Sequence, residues 1–410
     1  MNPFPIVLAD LRSMRWVGLT VVLLVAIAVA VGVALSAQER AFRKSSARAA
    51  DDFDLIVAAP GSQAQTVLTT IYLQPEALPL IDGRIIDTLA ADRRVAAVAP
   101  IAFGDFFHGY PIVGTTAPFV TRWGRVAPTE GRLFEREDEA VIGADVRAAI
   151  GDRVLPSHGA GPHPLLGAES AEEAAHRHAG AGLRIVGRLP RLGSPWDRAI
   201  LVPVESVWAV HGLGNGHASD PAPLGPPFGA TKMPGVPALV VKPRGVADAY
   251  ALRAQYRQNG TMAFFPAEVL VSLYKTMGDV RDVLVWASIL DNILVFAAIL
   301  LVVVALAGLR RRRYAVLRAL GAPRIYVLAV VWIGAAGLIA AGALLGLVFG
   351  WGGAVAVSAA LEARTGLGLP FLPAWSDLGF VAALILAGST MALVPALMSY
   401  ARPIAAGLGD

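Results

Sequence analysis

Four long apolar runs stand out along the chain, one near its start and three in its last third, with a region of mixed polarity between them. The first run, residues 16–37, contains no charged residue. A helix of about 20 apolar residues crosses a hydrocarbon core of about 30 Å. The pattern therefore predicts four transmembrane helices, at residues 16–37, 283–309, 325–360 and 378–400.

The first run has an alternative interpretation as a secretory signal peptide. Arg12 and Arg15 precede it, and it ends in the small residues Ala34, Ser36 and Ala37. The apolar part of a signal peptide normally has about 7–15 residues, and this run is longer. Its length favours a retained transmembrane helix.

The arginines in the short loops predict how the helices are oriented. Six arginines and no acidic residue lie between the second and third runs, whereas the loop after the third run has one arginine and two acidic residues. Positive loops stay in the cytoplasm. The basic residues just after the first run argue mildly for the opposite orientation, but long domains are translocated largely regardless of such charges. The predicted order is a cytoplasmic N-terminus (1–15), helix 1 (16–37), an external domain (38–282), helix 2 (283–309), a cytoplasmic segment (310–324), helix 3 (325–360), an external loop (361–377), helix 4 (378–400) and a cytoplasmic C-terminus (401–410).

The external domain has the pattern of a water-exposed α+β fold. Short runs rich in β-branched residues alternate with Gly and Pro turn signals, and two stretches have helical character. Residues 155–182 and 215–237 are rich in Gly and Pro and predict a loop insertion and a second mobile loop. The predicted strands lie at 55–59, 97–101, 112–115, 183–188, 200–204 and 238–242, and the helices around 85–93 and 247–259.

Both ends of this domain carry helical patterns next to the membrane runs. Apolar residues recur at helical spacing over residues 269–284, and residues 38–51 lack Gly and Pro. Two such helices predict a stalk that carries motion between the membrane and the external domain. The alternative is that they are connectors packed on the domain.

Composition agrees with a membrane protein and narrows the chemistry. Apolar residues make up 55% of the chain and charged residues 16%. The net charge of +4 is explained by a positive loop at a membrane, so we expect no nucleic-acid partner. The chain has no cysteine, which excludes disulfides, a thiol nucleophile and thiolate metal sites.

The sequence lacks the motifs of an ATPase or a hydrolase. A phosphate-binding P-loop needs a Gly–Lys pair, and none of the four lysines follows a glycine. HExxH, GxSxG and EF-hand patterns are also absent. We therefore predict a non-catalytic chain, in which any ATP-driven work requires a partner subunit.

All seven histidines fall in the external domain, and four of them cluster in the first Gly- and Pro-rich stretch. Imidazole is the commonest metal ligand, and three glutamates lie within the same stretch. The cluster predicts a loose Zn²⁺ or Cu²⁺ site, although solvated loop histidines are the alternative interpretation. Its residues are His158, His163, His176 and His178.

A row of small residues marks the third apolar run. Gly342, Gly346 and Gly350 repeat at every fourth position, which lets another helix approach closely. The row predicts a helix-packing or dimer interface, against the alternative of a generally Gly- and Ala-rich helix. Because the run is longer than a bilayer requires, the helix is also expected to tilt, extend beyond the membrane or break at its glycines.

Residues 310–324 read Arg-Arg-Arg-Arg-Tyr-Ala-Val-Leu-Arg-Ala-Leu-Gly-Ala-Pro-Arg, a basic cluster followed by a helical turn. This stretch, with the Gly-rich run after it, resembles the FtsX-like permease domain of MacB-type ABC transporters. The architecture agrees, with one span, a large external domain and then three spans. The resemblance covers the topology of the whole chain, but its specific motif covers about fifteen residues. Unlike MacB, this chain has no fused nucleotide-binding domain.

The resemblance implies a mechanotransmission mechanism of the type VII class. Two permease copies pair, two separate ABC ATPases carrying ATP and Mg²⁺ dock beneath them, and nucleotide-driven closure moves the stalk and the external domains. A short, basic, amphipathic helix can present arginines to a soluble partner, and lipid anchoring is the alternative role. Pro323 should end that helix. The residues implied in ATPase coupling are Arg310, Arg311, Arg312, Arg313, Val316, Leu317, Arg318 and Leu320.

Together these patterns predict an α-helical membrane domain of four transmembrane helices plus an α+β extracytoplasmic domain on a helical stalk. The expected function is a permease subunit in the bacterial cytoplasmic (inner) membrane, which moves or extracts a lipoprotein, peptide or hydrophobic substrate. A periplasmic adaptor or substrate-binding protein is a further expected partner, besides membrane lipid. The alternatives are an FtsX-like signal transmitter that activates a periplasmic partner, and a Zn²⁺-handling membrane protein.

Overall fold

The computed structural model describes residues 2–13, 15–74, 76–157, 182–218, 222–230, 233–258, 260–275, 316–365, 368–371, 373–394 and 396–397, with single positions between 286 and 297. The chain divides into two compact units. The first comprises Met1–Phe42, Gly278–Ala360 and Leu369–Asp410, and the second comprises Arg43–Met277 and Leu361–Gly368.

The helices and strands of the described residues are as follows. The helices are α1 (Phe4–Ser13), α2 (Arg15–Ala49), α3 (Gln63–Thr70), α4 (Arg84–Ala90), α5 (Ala117–Val120), α6 (Val204–Val210), α7 (Val246–Gln255), α8 (Arg324–Thr365) and α9 (Trp375–Met391). The strands are β1 (Leu55–Ala58), β2 (Val95–Phe107), β3 (Tyr110–Thr115), β4 (Glu130–Gly131), β5 (Glu139–Ile142), β6 (Arg153–Val154), β7 (Leu183–Arg188), β8 (Ile200–Pro203), β9 (Ala238–Pro243) and β10 (Met262–Phe264).

The first unit contains the apolar helices. Among the described residues, α2 and α8 are long and apolar enough to cross a membrane, and α9 is a shorter apolar helix. The predicted spans 16–37 and 325–360 lie within α2 and α8. The predicted span 283–309 lies outside the described residues except at a few single positions, so a total of four spans stays a prediction. Helix α8 continues through its glycines without a break.

The second unit is built on a ten-stranded sheet with the order β10-β1-β9-β2-β3-β8-β5-β7-β4, and β6 also pairs with β7. Most neighbours are antiparallel, but β3 with β8 and β5 with β7 are parallel. Strand β2 joins the two halves of the sheet. Its residues 95–101 pair with β9, and its residues 102–107 pair with β3.

Helices cover both faces of this sheet. Successive side chains of a strand point to opposite faces, so Leu55 and Val57 of β1 enter one core while Ile56 and Ala58 enter the other. Helices α4, α6 and α7 supply the first core; α3, α5 and the helical residues 266–275 supply the second. Double burial explains why these strands are continuously apolar. The mixed α and β content predicted for this domain is confirmed.

The stretch 215–237, predicted as a mobile loop, is anchored to the domain at a described turn. The Asp87 carboxylate accepts hydrogen bonds from the backbone N–H groups of Phe228 and Gly229, both at 2.9 Å. The Phe228 ring is buried edge-on against Trp208, with 5.1 Å between ring centroids. These contacts anchor the turn, and the mobility of the stretch stays a prediction. The predicted insertion 155–182 lies almost entirely outside the described residues.

The predicted stalk segments are helical as far as the structure describes them. Helix α2 continues through residues 38–49, and residues 266–275 are helical. Residues 276–284 of the predicted stalk lie outside the described residues.

A buried carboxylate at the start of β5 makes the second unit sensitive to acid. Glu139 is fully buried and accepts hydrogen bonds from both terminal nitrogens of Arg132, at 2.8 and 2.5 Å, and from the backbone N–H of Glu135 at 2.8 Å. The Arg132 guanidinium lowers the pKa of Glu139 from 4.5 to about 2. The stabilisation is therefore complete above about pH 4.5 and is lost as the pH falls toward 2.

We expect Glu139→Gln to have a lower unfolding midpoint than the parent protein at pH 7, and a smaller further loss on acidification. Unfolding midpoints of the full chain in detergent, measured between pH 7 and pH 3, test this. Glu130→Gln is the matched control, because the Glu130 side chain is mostly exposed and 3.7 Å from its arginine. Parallel acid profiles for the parent and Glu139→Gln would contradict the assignment.

Candidate functional site

The glycine row of α8 forms a close contact with α2, which we call the helix seam. A Cβ atom built on Gly342 or Gly346 would lie 2.7 Å from an α2 atom, and one built on Gly350 would lie 2.8 Å from it. Such distances leave no room for a side chain, so the two backbones approach directly. The facing residues of α2 are Val22, Val25, Ala26, Val29, Ala30 and Val33.

The helix seam gives the small-residue row a partner within the same chain. Apolar helices gain little from the hydrophobic effect in lipid, so their association depends on close van der Waals packing. Glycines at every fourth position of α8 provide the groove, and valines at every fourth position of α2 fill it. Since this surface is occupied, a pair of permease copies has to use another face. Pairing itself stays a prediction.

A buried carboxylate connects three helices of the first unit. Asp377, in the first turn of α9, is 3% exposed. Arg40 Nη2 of α2 donates to its two oxygens at 2.8 and 2.9 Å, and Trp351 Nε1 of α8 donates to Oδ2 at 3.2 Å. The backbone N–H of Ala374 also donates to Oδ2 at 3.3 Å, which caps α9. We call Arg40, Trp351 and Asp377 the Asp377 cluster.

Two further side chains fasten these helices. Gln38 Nε2 donates to the Ala354 carbonyl at 2.7 Å and to Ser358 Oγ at 3.1 Å, joining α2 to α8. Trp332 Nε1 donates to the Ser389 carbonyl at 2.8 Å, joining α8 to α9. Sequence reasoning missed these roles, because polar residues at the ends of apolar runs carry no signal about their partners.

The described part of the coupling segment ends in a Schellman motif. The N–H of Ala322 donates to the Leu317 carbonyl at 3.0 Å, and the N–H of Gly321 donates to the Arg318 carbonyl at 3.1 Å. Gly321 has φ +96°, the left-handed conformation that this motif requires at the residue after the helix. The Leu-Arg-Ala-Leu-Gly-Ala turn therefore ends one helix before α8 begins at Arg324, as predicted from Pro323.

The apolar residues of this segment differ in exposure. Leu317 is partly buried and packs against the cluster of Val7, Ala322, Tyr326 and Val330. Leu320 is 80% exposed, and Val316 is also exposed. The coupling role of Val316, Leu317 and Leu320 stays a prediction. Arg310, Arg311, Arg312 and Arg313 lie outside the described residues.

We expect Gly321→Ala to destabilise the coupling segment by about 1 kcal/mol, because alanine disfavours a left-handed backbone. No described atom lies within 4 Å of an added Cβ, so the effect isolates the backbone conformation. The measurement is the thermal unfolding midpoint of the purified chain. Gly337→Ala is the control, since its added Cβ also meets no described atom within 4 Å and its φ is not left-handed. Equal midpoints for the two variants would contradict the role of Gly321.

The structure does not test the metal prediction. His158, His163, His176 and His178 lie outside the described residues, and the described part of the chain holds no group of three or more candidate ligands. Of the other histidines, His217 is buried with Nε2 at 3.2 Å from Glu205 Oε1, a pairing inside the domain core. A zinc site stays a prediction.

Comparison with known proteins finds a family match in the C-terminal part of the chain. Residues 287–404 match the family model described as FtsX-like permease C-terminal. The matched region includes α8 with its glycine row and the coupling turn, and the matching family is one of ABC transporter permeases. This match confirms the resemblance to the FtsX-like permease family that residues 310–324 predicted, and it covers less than a third of the chain.

Two solved structures are similar to this chain over about half its length. The crystal structure of the periplasmic region of MacB from Actinobacillus actinomycetemcomitans matches 55% of this chain and 95% of its own, with a TM-score of 0.34 and 10% identity. The extracellular domain of the noncanonic ABC-type transporter YknZ from Gram-positive bacteria matches 52% and 98%, with a TM-score of 0.30 and 12% identity. Both TM-scores lie below 0.5. No curated protein matches the sequence.

The properties of the matching family bear on location and partners. Permeases of this family are embedded in a membrane, carry a periplasmic domain and work with an ABC ATPase partner. They are generally non-catalytic subunits.

Proposed function

We propose that this chain is the permease subunit of an ABC transporter that transmits ATP-driven motion of a separate ATPase to its periplasmic domain. The transmitted motion moves or extracts a lipoprotein, peptide or hydrophobic substrate. The observation that carries this proposal is that α2 runs without a break from Arg15 to Ala49, through the predicted span and the predicted stalk. An unbroken helix is stiff enough to transmit a displacement along its length.

Packed contacts supply the rest of the route. The coupling segment packs against α1 and the first turn of α8. Helix α8 is joined to α2 by the helix seam and the Asp377 cluster. Helix α2 ends at Ala49, which is buried in a core of the periplasmic domain together with Phe53. A displacement at the coupling segment therefore has a continuous packed and covalent path to that core.

The ATPase contact is proposed on the exposed side of the coupling segment. Leu320 and Val316 lie four positions apart and are exposed, so they face away from α1. The arginines at 310–313 precede them in sequence. Two ATPase copies, with their ATP and Mg²⁺, and a second permease copy complete the proposed assembly; a periplasmic adaptor is a further proposed partner.

Co-purification tests the coupling contact. Tagged parent protein extracted under mild conditions should bring an ABC ATPase, identified by mass spectrometry and by ATPase activity of the eluate. Leu320→Ser, and Ala at Arg311–Arg313 with Arg318→Ala, should lose the ATPase at an unchanged unfolding midpoint. Leu317→Ser is the matched control within the turn, since it should lower the midpoint through lost packing on α1. No ATPase with the parent protein, or full retention by Leu320→Ser, would count against the proposal.

The same route would also serve the alternative function, a signal transmitter that activates a periplasmic partner. The two functions differ in the result of ATP hydrolysis, which is release of a substrate in transport and activation of a periplasmic partner in signalling. Reconstituted permease and ATPase that release a lipoprotein or hydrophobic compound from a bilayer in an ATP-dependent manner support transport. ATP-dependent activation of a bound periplasmic enzyme without such release supports signalling.

A further inference from the structure

A small cavity with an unusual set of charges lies inside the periplasmic unit, where the chain leaves α2. Its volume is about 210 Å³. Three arginines and two aspartates contribute to its wall: Arg48, Arg122, Arg125, Asp51 and Asp52. The cavity is also lined by Phe53, Leu192, Ser194 and Trp196.

Arg122 is the exceptional member of this set. It is 2% exposed, and its guanidinium carbon lies 4.5 Å from the ring centroids of both Phe119 and Trp196. Its Nε and Nη1 atoms are buried without a hydrogen-bond partner among the described residues. A buried cation with unsatisfied donors is costly. Burial accordingly lowers the pKa of Arg122 to about 9, with the Asp197 carboxylate opposing the shift.

The nearby carboxylates do not satisfy this guanidinium. Asp52 Oδ2 lies 3.4 Å from Arg122 Nε, but Asp52 also forms an ion pair with Arg125. Asp197 accepts three backbone hydrogen bonds, from Leu192 at 2.8 Å, Gly193 at 2.7 Å and Ser194 at 3.4 Å. Arg122 and Arg125 therefore share the carboxylate of Asp52 as their ion-pair partner among the described residues.

The backbone holds Arg122 in place at a conformational cost. Arg122 and Trp123 have φ values of +49° and +60°, in the left-handed region that side-chain-bearing residues rarely adopt. Trp123 Nε1 donates to the Asp52 carbonyl at 3.0 Å, which ties this turn to the residues after α2. Strained residues of this kind persist where the surrounding structure fixes them, and they cluster at ligand sites.

We propose that this cavity binds a phosphate-class oxyanion, held by Arg122 and Arg125 with Arg48 at its rim. Guanidinium groups bind phosphate oxygens through paired, charge-assisted hydrogen bonds, and a phosphate would supply acceptors for the unsatisfied donors of Arg122. The phosphate belongs either to a free anion or to a phospholipid headgroup. The site would connect the end of α2 with the turn at Arg122, and it does not depend on the transported substrate.

The test uses the full chain in nanodiscs. In one arm, phosphatidylcholine nanodiscs are dialysed against radiolabelled inorganic phosphate at constant ionic strength. In the other, native mass spectrometry counts phosphatidylglycerol molecules retained from mixed phosphatidylcholine and phosphatidylglycerol nanodiscs. We expect one saturable site in at least one arm. Arg125→Gln should weaken it about tenfold, the loss of one charge-assisted hydrogen bond.

Asp52→Asn distinguishes a binding site from a structural charge cluster. Removing the competing carboxylate should tighten binding several-fold, whereas a purely structural pair would only lose stability. Arg125 is about half exposed, so its replacement leaves the fold intact, while Arg122→Gln removes a stacked and buried side chain and is not relied on. Arg84→Gln, an exposed arginine paired with Asp82, is the control and should change nothing.

The outcomes separate the two sources. Saturable inorganic phosphate binding that responds to Arg125→Gln and Asp52→Asn identifies a free anion. Retained phosphatidylglycerol that responds in the same way, without inorganic phosphate binding, identifies a lipid headgroup. Binding in neither arm, or binding that both variants leave unchanged, overturns the proposal.

Discussion

Gly346→Leu is expected to force α2 and α8 apart and to produce the largest loss of stability among single replacements in the membrane unit. A Cβ at this position would lie 2.7 Å from the Ala26 carbonyl oxygen and from Val29 Cβ, so backbone would have to move. Overpacking of a tight contact costs about 1–3 kcal/mol, and a leucine on a backbone-to-backbone contact belongs at the upper end or beyond. The unfolding midpoint in detergent measures the loss.

The same helix offers a control for this replacement. An added Cβ at Gly352 meets no described atom within 4 Å. Gly352→Leu should therefore leave the midpoint nearly unchanged, although it adds the same apolar side chain to the same helix. A large and equal loss for both variants would show that glycine flexibility, and not the helix seam, matters in α8.

Asp377→Ala is expected to have the second large effect, about 2–4 kcal/mol. The carboxylate is nearly inaccessible, and its removal leaves Trp351 Nε1 and the Ala374 N–H without their acceptor and Arg40 without its ion pair. Asp377→Asn, which keeps the shape and one acceptor oxygen, should lose less. Arg40→Met should also lose less, because Arg40 is partly exposed.

An exposed ion pair gives the comparison for the Asp377 cluster. Asp82 and Arg84 are 2.5 Å apart on the surface of the periplasmic unit, and exposed pairs of this kind contribute at most about 1 kcal/mol. Asp82→Ala should shift the unfolding midpoint slightly, and Asp377→Ala strongly. Similar small shifts for both variants would mean that the three helices are held without the cluster.

The strands and the coupling turn could be predicted from the sequence because each is determined by residues close together in the chain. The six predicted strands are all present. Each is an apolar run in the sequence because its residues are buried on both faces of the sheet. The coupling turn was also recognisable, because a Schellman motif needs only a glycine after a short helix. Strand β5 was not predicted. It begins at a charged residue, Glu139, whose burial depends on Arg132 seven positions earlier.

Contacts between residues far apart in the chain could not be predicted from the sequence. Arg40 and Asp377 are 337 positions apart, and each looked like an ordinary charge at the end of an apolar run. The small-residue row predicted an interface but could not show that the partner is α2. Gly and Pro in the stretch 215–237 indicated turns but not their anchor, because Asp87 lies 141 positions before Phe228.

Strand β2 sets a limit on how the periplasmic domain can be dissected into fragments. Since Val95–Ile101 pairs with β9 and Ala102–Phe107 pairs with β3, the two halves of the sheet have one strand in common. A protease cut or a chain terminus placed within β2 would leave each half with an unpaired edge. Grafting one half onto a related permease would therefore require transfer of the whole strand, and we expect the natural unit of exchange to be the entire sheet.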